Sequence, residues 1–205
     1  MIVLTANYRG FDRDVPNVPG IVVYDEKRRE NGTLEGRYLA KAPKCAPHLL
    51  GHKDRDVIWV DASMRFQGSL PHIPRGDNPF RDLLHQVPEG GMGLFRHRHR
   101  DCIYTEAAHS LEMPIYKRQP IIQQTRHYQR EGHPSGWGLW ECGIIVWRGA
   151  QHVIGARWLA EQLTWSSQDQ ISLPFVVREL GQKVTDLSPG SVVDNPWFRY
   201  QEHGT

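Results

Sequence analysis

Residues 57–63 read VIWVDAS. Four apolar residues run into a carboxylate, Asp61, and two small residues follow it. A strand apolar on both faces is the mark of a sheet covered on both sides. The same character recurs in IVLTA (2–6), GIVVYD (20–25), GMGLFR (91–96) and CGIIVWR (142–148). These runs are bounded by turn residues, as strands are. Between them lie patterns suited to helices: 45–51, 78–87, 102–112, roughly 114–131, 156–165 and 168–180. Pro174 should end or kink the last of these unless it sits near the first turn. Alternation of this kind implies an α/β fold with a mixed, mainly parallel sheet flanked by helices.

The totals agree. A chain of 205 residues suits a single domain, with 39% hydrophobic and 23% charged residues, as in an ordinary soluble globular protein. No apolar run reaches the roughly 20 residues of a membrane span. MIVLTANYRG reads as a first strand and not as a signal peptide. Cys45, Cys102 and Cys142 are scattered and odd in number, so the expected compartment is a reducing cytoplasm. The net charge of +2 permits anionic partners, nucleic acid included, without arguing for them. The stretch 188–205 is punctuated by Pro and Gly yet carries Trp197, Phe198 and Tyr200, so it should pack back on the domain.

Ligands of open α/β sheets bind outside the carboxyl ends of the strands. That rule sorts the acidic residues. Asp54 and Asp56 precede their strand and lie at the wrong end. Asp12, in the loop after the first strand, and Asp61 lie at the right end. Ala62 and Ser63 leave room beside Asp61. Two readings of Asp61 stand: a ligand-side carboxylate, or a loop aspartate that caps the next turn.

Three other stretches hold candidates. In WSSQDQIS (165–172), Ser167 and Gln170 have the spacing of a capping box, which puts Asp169 in the first turn of a helix. Asp169 is then either an acid favoured by the helix dipole or a rigid carboxylate beside a pocket, able to take a hydroxyl proton or orient a sugar. Glu141 directly precedes an apolar strand, and Gly143 allows close backbone approach. Glu141 alone reads better as a strand-end residue in water than as a site residue. In FRHRHRDCIYTEA (95–107), Arg96, Arg98 and Arg100 share one face if the strand continues, and could meet a phosphate or an acceptor. Glu106 could pair with one of them. His97, His99 and Cys102 lack a second ligand pair of zinc spacing. His203, after an aromatic segment, is a candidate metal ligand.

In this order, TANYRGFD, VVYDE, RYLAKAPKCAPHLL, DVIWVDASMRF, FRHRHRDCIYTEA, ECGIIVWR and SSQDQISLPFV resemble the glycosyltransferase-like domain of the TOD/MUCI type and its bacterial and viral relatives. That domain belongs with the GT-A nucleotide-diphospho-sugar transferases. The ECG and DQ elements are also similar to motifs of glycogenin-type transferases, in which a late histidine completes a metal site. The resemblance implies a GT-A-like fold and transfer of a sugar from a nucleotide-diphosphate donor to a hydroxyl on a glycan, protein or DNA base. It implies that Thr5, Ala6, Asn7, Tyr8 and Asp12 cradle the nucleotide. Lys41 and Lys44 would meet the diphosphate. Asp61, with Ala62, Ser63 and Gln170 beside the donor, would bind Mn²⁺ or Mg²⁺ together with His203. Glu141 and Asp169 would face the sugar or the acceptor. A hard cation suits this oxygen-rich chemistry, as a Lewis acid on the leaving diphosphate.

One departure stands out. The motif is D-A-S, so Ser63 occupies the position of the second aspartate. Two alternatives therefore remain beside the transferase: the same activity on a hydroxylated base in viral DNA, and a nucleotide-sugar-binding domain without catalysis.

Overall fold

The computed structural model describes residues 1–8, 15–18, 20–25, 36–67, 78–149 and 152–201. A six-stranded sheet forms its centre. Across the sheet the strands are β2 (Val22–Tyr24), β1 (Ile2–Ala6), β3 (Val57–Val60), β6 (Trp140–Trp147), β5 (Met92–Arg96) and β7 (Val184–Asp186). β1 pairs in parallel with β2 and β3, and β5 with β7. β6 runs antiparallel to both of its neighbours, β3 and β5. The fold is therefore α/β with a mixed, mainly parallel sheet, as the apolar runs implied. A separate two-stranded ladder joins β4 (Met64–Phe66) to β8 (Phe198–Tyr200).

Alternate residues of each strand feed two cores, because strand side chains point to opposite faces in turn. Leu4, Trp59, Leu94, Ile145 and Trp147 join one core. Val3, Ile58, Val60, Phe95, Ile144 and Val146 join the other. The first core is covered by α2 (Lys41–Cys45), α4 (Ile103–Glu112), α5 (Ile121–Arg130), α6 (His152–Thr164) and α7 (Asp169–Glu179). The second is covered by α3 (Pro79–Gln86) and the β4–β8 ladder. A short helix α1 (Gly36–Leu39) precedes α2. α3 starts cleanly: Asn78 Oδ1 accepts the N–H groups of Phe80 and Arg81, with Pro79 at the first helical position.

Several local expectations are corrected. The helix expected over 45–51 is the end of α2 followed by a 3₁₀ turn at Pro47–Leu50. The one expected over 114–131 is a 3₁₀ turn at Pro114–Tyr116 and then α5. Pro120 separates the two, since the residue before a proline is pushed out of the helical region. α7 runs straight through Pro174. Residues 171–177 are all buried, so packing outweighs the roughly 3 kcal/mol an interior proline costs a helix. β4, β7 and β8 were not foreseen; each has only three residues.

Candidate functional site

β1 and β3 both end at one edge of the sheet. β6 is antiparallel, so its first residues reach the same edge: Asp61 N–H donates to the Gly143 carbonyl at 2.8 Å. A cavity of about 1070 Å³ opens there. Ala6, Asn7 and Tyr8 line it beyond β1, Asp61, Ala62 and Ser63 beyond β3, and Glu141 and Gly143 from β6. Lys41 and Lys44 enter from α2, and Asp169 and Gln170 from α7. Thr5 does not line this cavity. It is fully buried within β1, and its hydroxyl has no hydrogen-bond partner among the described residues, which removes it from the expected nucleotide cradle. Asp12 and His203 lie outside the described residues.

The centre of the site is a four-membered ion cluster. Lys44 Nζ lies 2.7 Å from Asp169 Oδ2, and 2.9 and 3.2 Å from the two oxygens of Asp61. Lys41 Nζ donates to Asp169 Oδ1 at 2.7 Å. Trp59 Nε1 donates to Asp61 Oδ1 at 2.6 Å. Sequence spacing explains the convergence. Lys41 and Lys44 are three apart on a helix and share a face. Trp59 and Asp61 are two apart along an extended chain and point the same way. That signal was available in the sequence, although Trp59 was not named from it. Both lysines and Asp169 are buried, whereas the Asp61 side chain keeps 32% of its surface exposed. Burial opposes the charge on Lys44, but Asp169 and then Asp61 outweigh it and hold the ammonium's pKa well above its ordinary value. Burial likewise opposes the charge on Asp169, and Lys41 and Lys44 overcome it, holding the carboxyl below its usual range.

The capping box does not form. Ser167 N–H and Oγ are bonded to Gln119 Oε1, and α7 begins after Gln168 with no side-chain cap. Asp169 is thus fixed by lysines and not by a cap.

Glu141 is not a strand-end residue in water. It lies inside β6 and is only 8% exposed. The register between β5 and β6 slips between Leu94 and Phe95, where the partner jumps from Ile145 to Glu141. Such irregularities re-aim side chains, and here Glu141 and Gly143 both reach the cavity wall. Glu141 Oε2 accepts the N–H of Val192 at 2.6 Å. Burial raises the Glu141 carboxyl above its ordinary value, against the backbone N–H groups of Val192 and Arg98 and the charges of Arg98 and Arg100.

The expected arginine face is absent. β5 ends at Arg96. His97 Nδ1 then faces the N–H groups of His99 and Arg100, at 3.2 and 3.0 Å, and closes a turn. Arg96 bends to Asp186, 2.9 Å away, and stacks on Trp140. Arg100 Nε donates to Glu106 Oε2 at 2.6 Å, while Arg98 lines the cavity. Glu106, buried at the start of α4, also accepts from Gln168 Nε2 at 3.0 Å. Arg100, Glu106 and Gln168 form a second polar wall of the cavity. Gln168 was missed, because only tertiary contact brings α4 and α7 together.

Among the described residues, which leave out His203, the donor set found at Asp61 does not match the metal that the resemblance implies. Oδ1 already accepts two N–H donors, and Ser63 supplies no carboxylate. Among the described residues, no three His, Cys, Asp or Glu side chains gather as a metal-binding group. Among the described residues, no helix is long and apolar enough to cross a membrane.

No protein-family model and no curated protein matches this chain. Among solved structures, the chain aligns with the apo form of mouse xyloside xylosyltransferase 1 at a TM-score of 0.46 and 10% identity, over 91% of this chain and 84% of that chain.

Proposed function

We propose that this chain is a glycosyltransferase that moves a sugar from a nucleotide-diphosphate donor to a hydroxyl acceptor. The observation that carries the reading is the cavity at the carboxyl edge of the sheet, where two lysines and the carboxylates of Asp61, Asp169 and Glu141 converge. That edge is where open α/β sheets bind ligands. Its volume suits a nucleotide sugar, since ligand sites commonly measure about 300–1,000 Å³. Ala6, Asn7 and Tyr8 would hold the base and ribose, with Ala62, Ser63 and Gln170 along the donor.

The two buried carboxylates divide the work by their environments. Asp169 is held ionised by two ammonium groups, so it is a weak base and a strong electrostatic anchor. Burial raises the Glu141 carboxyl above its ordinary value, which makes it the better base of the two and suits it to accept a proton. In this assignment Glu141 takes the proton of the acceptor hydroxyl as its oxygen bonds to the sugar. The bond from sugar to diphosphate breaks, and the electron pair leaves with the phosphate. The nucleic-acid alternative drew on the small size, the 11 histidines, the basic charge balance and the Arg/His row, of which the row does not form one strand face.

The test is a thermal-shift panel of UDP, GDP, CMP and ADP and their sugars, since a ligand that binds only the folded state raises its melting temperature. A shift with one nucleotide family fixes the donor class. No shift with any of them overturns the proposal.

A further inference from the structure

The geometry points to Lys44 as the resident cation of this site: its ammonium fills the space between Asp61 and Asp169 that a divalent ion would need, so the donor's diphosphate binds without a metal. The second half of this statement rests on the proposed function; the first half does not.

Four observations carry it. Lys44 Nζ lies within hydrogen-bond distance of both carboxylates at once, at 2.7 Å from Asp169 and 2.9 Å from Asp61. Asp61 Oδ1 is engaged twice, by Lys44 and by the indole N–H of Trp59. A carboxylate oxygen has two lone-pair directions, so these two donors leave it none for a metal. Each oxygen of Asp169 accepts from one lysine, so both ammonium groups stand between this carboxylate and the cavity. Finally, Lys44 is anchored on its own backbone. Its carbonyl accepts Trp147 Nε1 at 3.1 Å, and its side chain is only 5% exposed at the cavity wall, so the ammonium is held in place between the carboxylates.

Charge counting agrees. Lys41 and Lys44 bring together the two positive charges that one divalent ion would bring. Ser63, standing where a second metal-binding aspartate would be, is consistent with a site that needs only one carboxylate from this loop. Hard divalent cations demand several oxygen ligands at about 2.0–2.6 Å. A site built around an ammonium needs only acceptors near 2.8 Å, and that is what surrounds Lys44.

The test uses the full chain, Mn²⁺ alone, and UDP and GDP as probes. Mn²⁺ binding is followed by electron paramagnetic resonance in the wild type, in Lys44→Met and in Asp61→Asn. The wild type is expected to leave Mn²⁺ free. Lys44→Met, which removes the ammonium between the two carboxylates, is expected to gain Mn²⁺ binding. Nucleoside diphosphate affinity of the wild type should be the same in EDTA and in Mn²⁺. In EDTA, Lys44→Met, which takes one positive charge from the cavity wall, should weaken it by about tenfold or more.

Mn²⁺ binding by the wild type that Asp61→Asn abolishes would overturn the inference. So would a nucleotide that binds only with Mn²⁺, although that result leaves the transferase reading intact. If neither nucleotide nor its sugars bind in either condition, the donor reading itself falls. Should Lys44→Met fail to fold, the wild type and Asp61→Asn alone decide the Mn²⁺ question.

Discussion

Asp169 accepts from two lysines at 2.7 Å each while almost wholly buried. Removing its charge strands Lys41 and leaves Lys44 with Asp61 alone. Breaking one side of a buried ion pair costs about 3–5 kcal/mol, so Asp169→Asn should lower the melting temperature by roughly 10 °C in a calorimetric scan. The same cluster sets a pH window. The Asp169 carboxyl is held below its ordinary value of 3.8, so its stabilisation is complete above that pH and is lost as pH falls through the lowered value. Lys44 is held above 10.5, so its stabilisation is complete below that pH and fades as pH rises through the raised value. Urea midpoints of the wild type should show both limbs, and Asp169→Asn should lose its share of the acid limb and weaken the alkaline one. Asp61 is a different case, because its side chain is partly open to solvent. Asp61→Ala should abolish sugar transfer while leaving circular dichroism unchanged; full activity would refute its role. At this scale the sequence was half legible. Asp61, Asp169, Lys41 and Lys44 stood out as residue types in suggestive positions. What they do to one another did not, since Lys41 and Asp169 are separated by 128 positions.

Strand β6 decides the layout of the site at the scale of elements. Its antiparallel course carries Glu141 to the same edge as Asp61, and its slip against β5 turns that carboxylate inward. Gly143 makes this possible, because a Cβ there would lie 3.0 Å from Val192 Cγ1. Gly143→Val should push the 190s away from β6 at a cost of about 1–3 kcal/mol. Limited proteolysis should then cut between 187 and 197 faster than in the wild type; an unchanged pattern would refute the packing argument. The long strands were legible because nearly all their residues are apolar, and three-residue β2 because it lies in the apolar run 20–25. Three-residue β4, β7 and β8 were not, because so short a stretch outside an apolar run shows no period. The arginine row misled for a local reason: a histidine ring bonded to backbone N–H groups ends the strand just where alternation suggested it would go on.

The molecule as a whole is two cores on either side of one sheet, and its last described residues seal one of them. Phe198 is 1% exposed and packs against Phe66 and Phe80, with ring centroids 5.9 and 5.6 Å away. Phe198→Ala should cost about 3–5 kcal/mol, as large aromatic truncations in cores do. Its effect should appear in the urea midpoint with little change in slope. The fold class was readable from the alternation of apolar runs and helical patterns. The pairing of β4 with β8 joins residues some 130 apart in sequence, and no local pattern announces such a partner.

The two halves of the sheet touch only through β6, with β2, β1 and β3 on one side and β5 and β7 on the other. That makes β6 a keystone in time as well as in space. β1 cannot be tied to β5 until a strand some 80 residues beyond β3 arrives between them, and contacts so distant in sequence form slowly. Ile144, Ile145 and Val146, all fully buried, should be the last amides to exchange with deuterium in the native protein, ahead only of global unfolding.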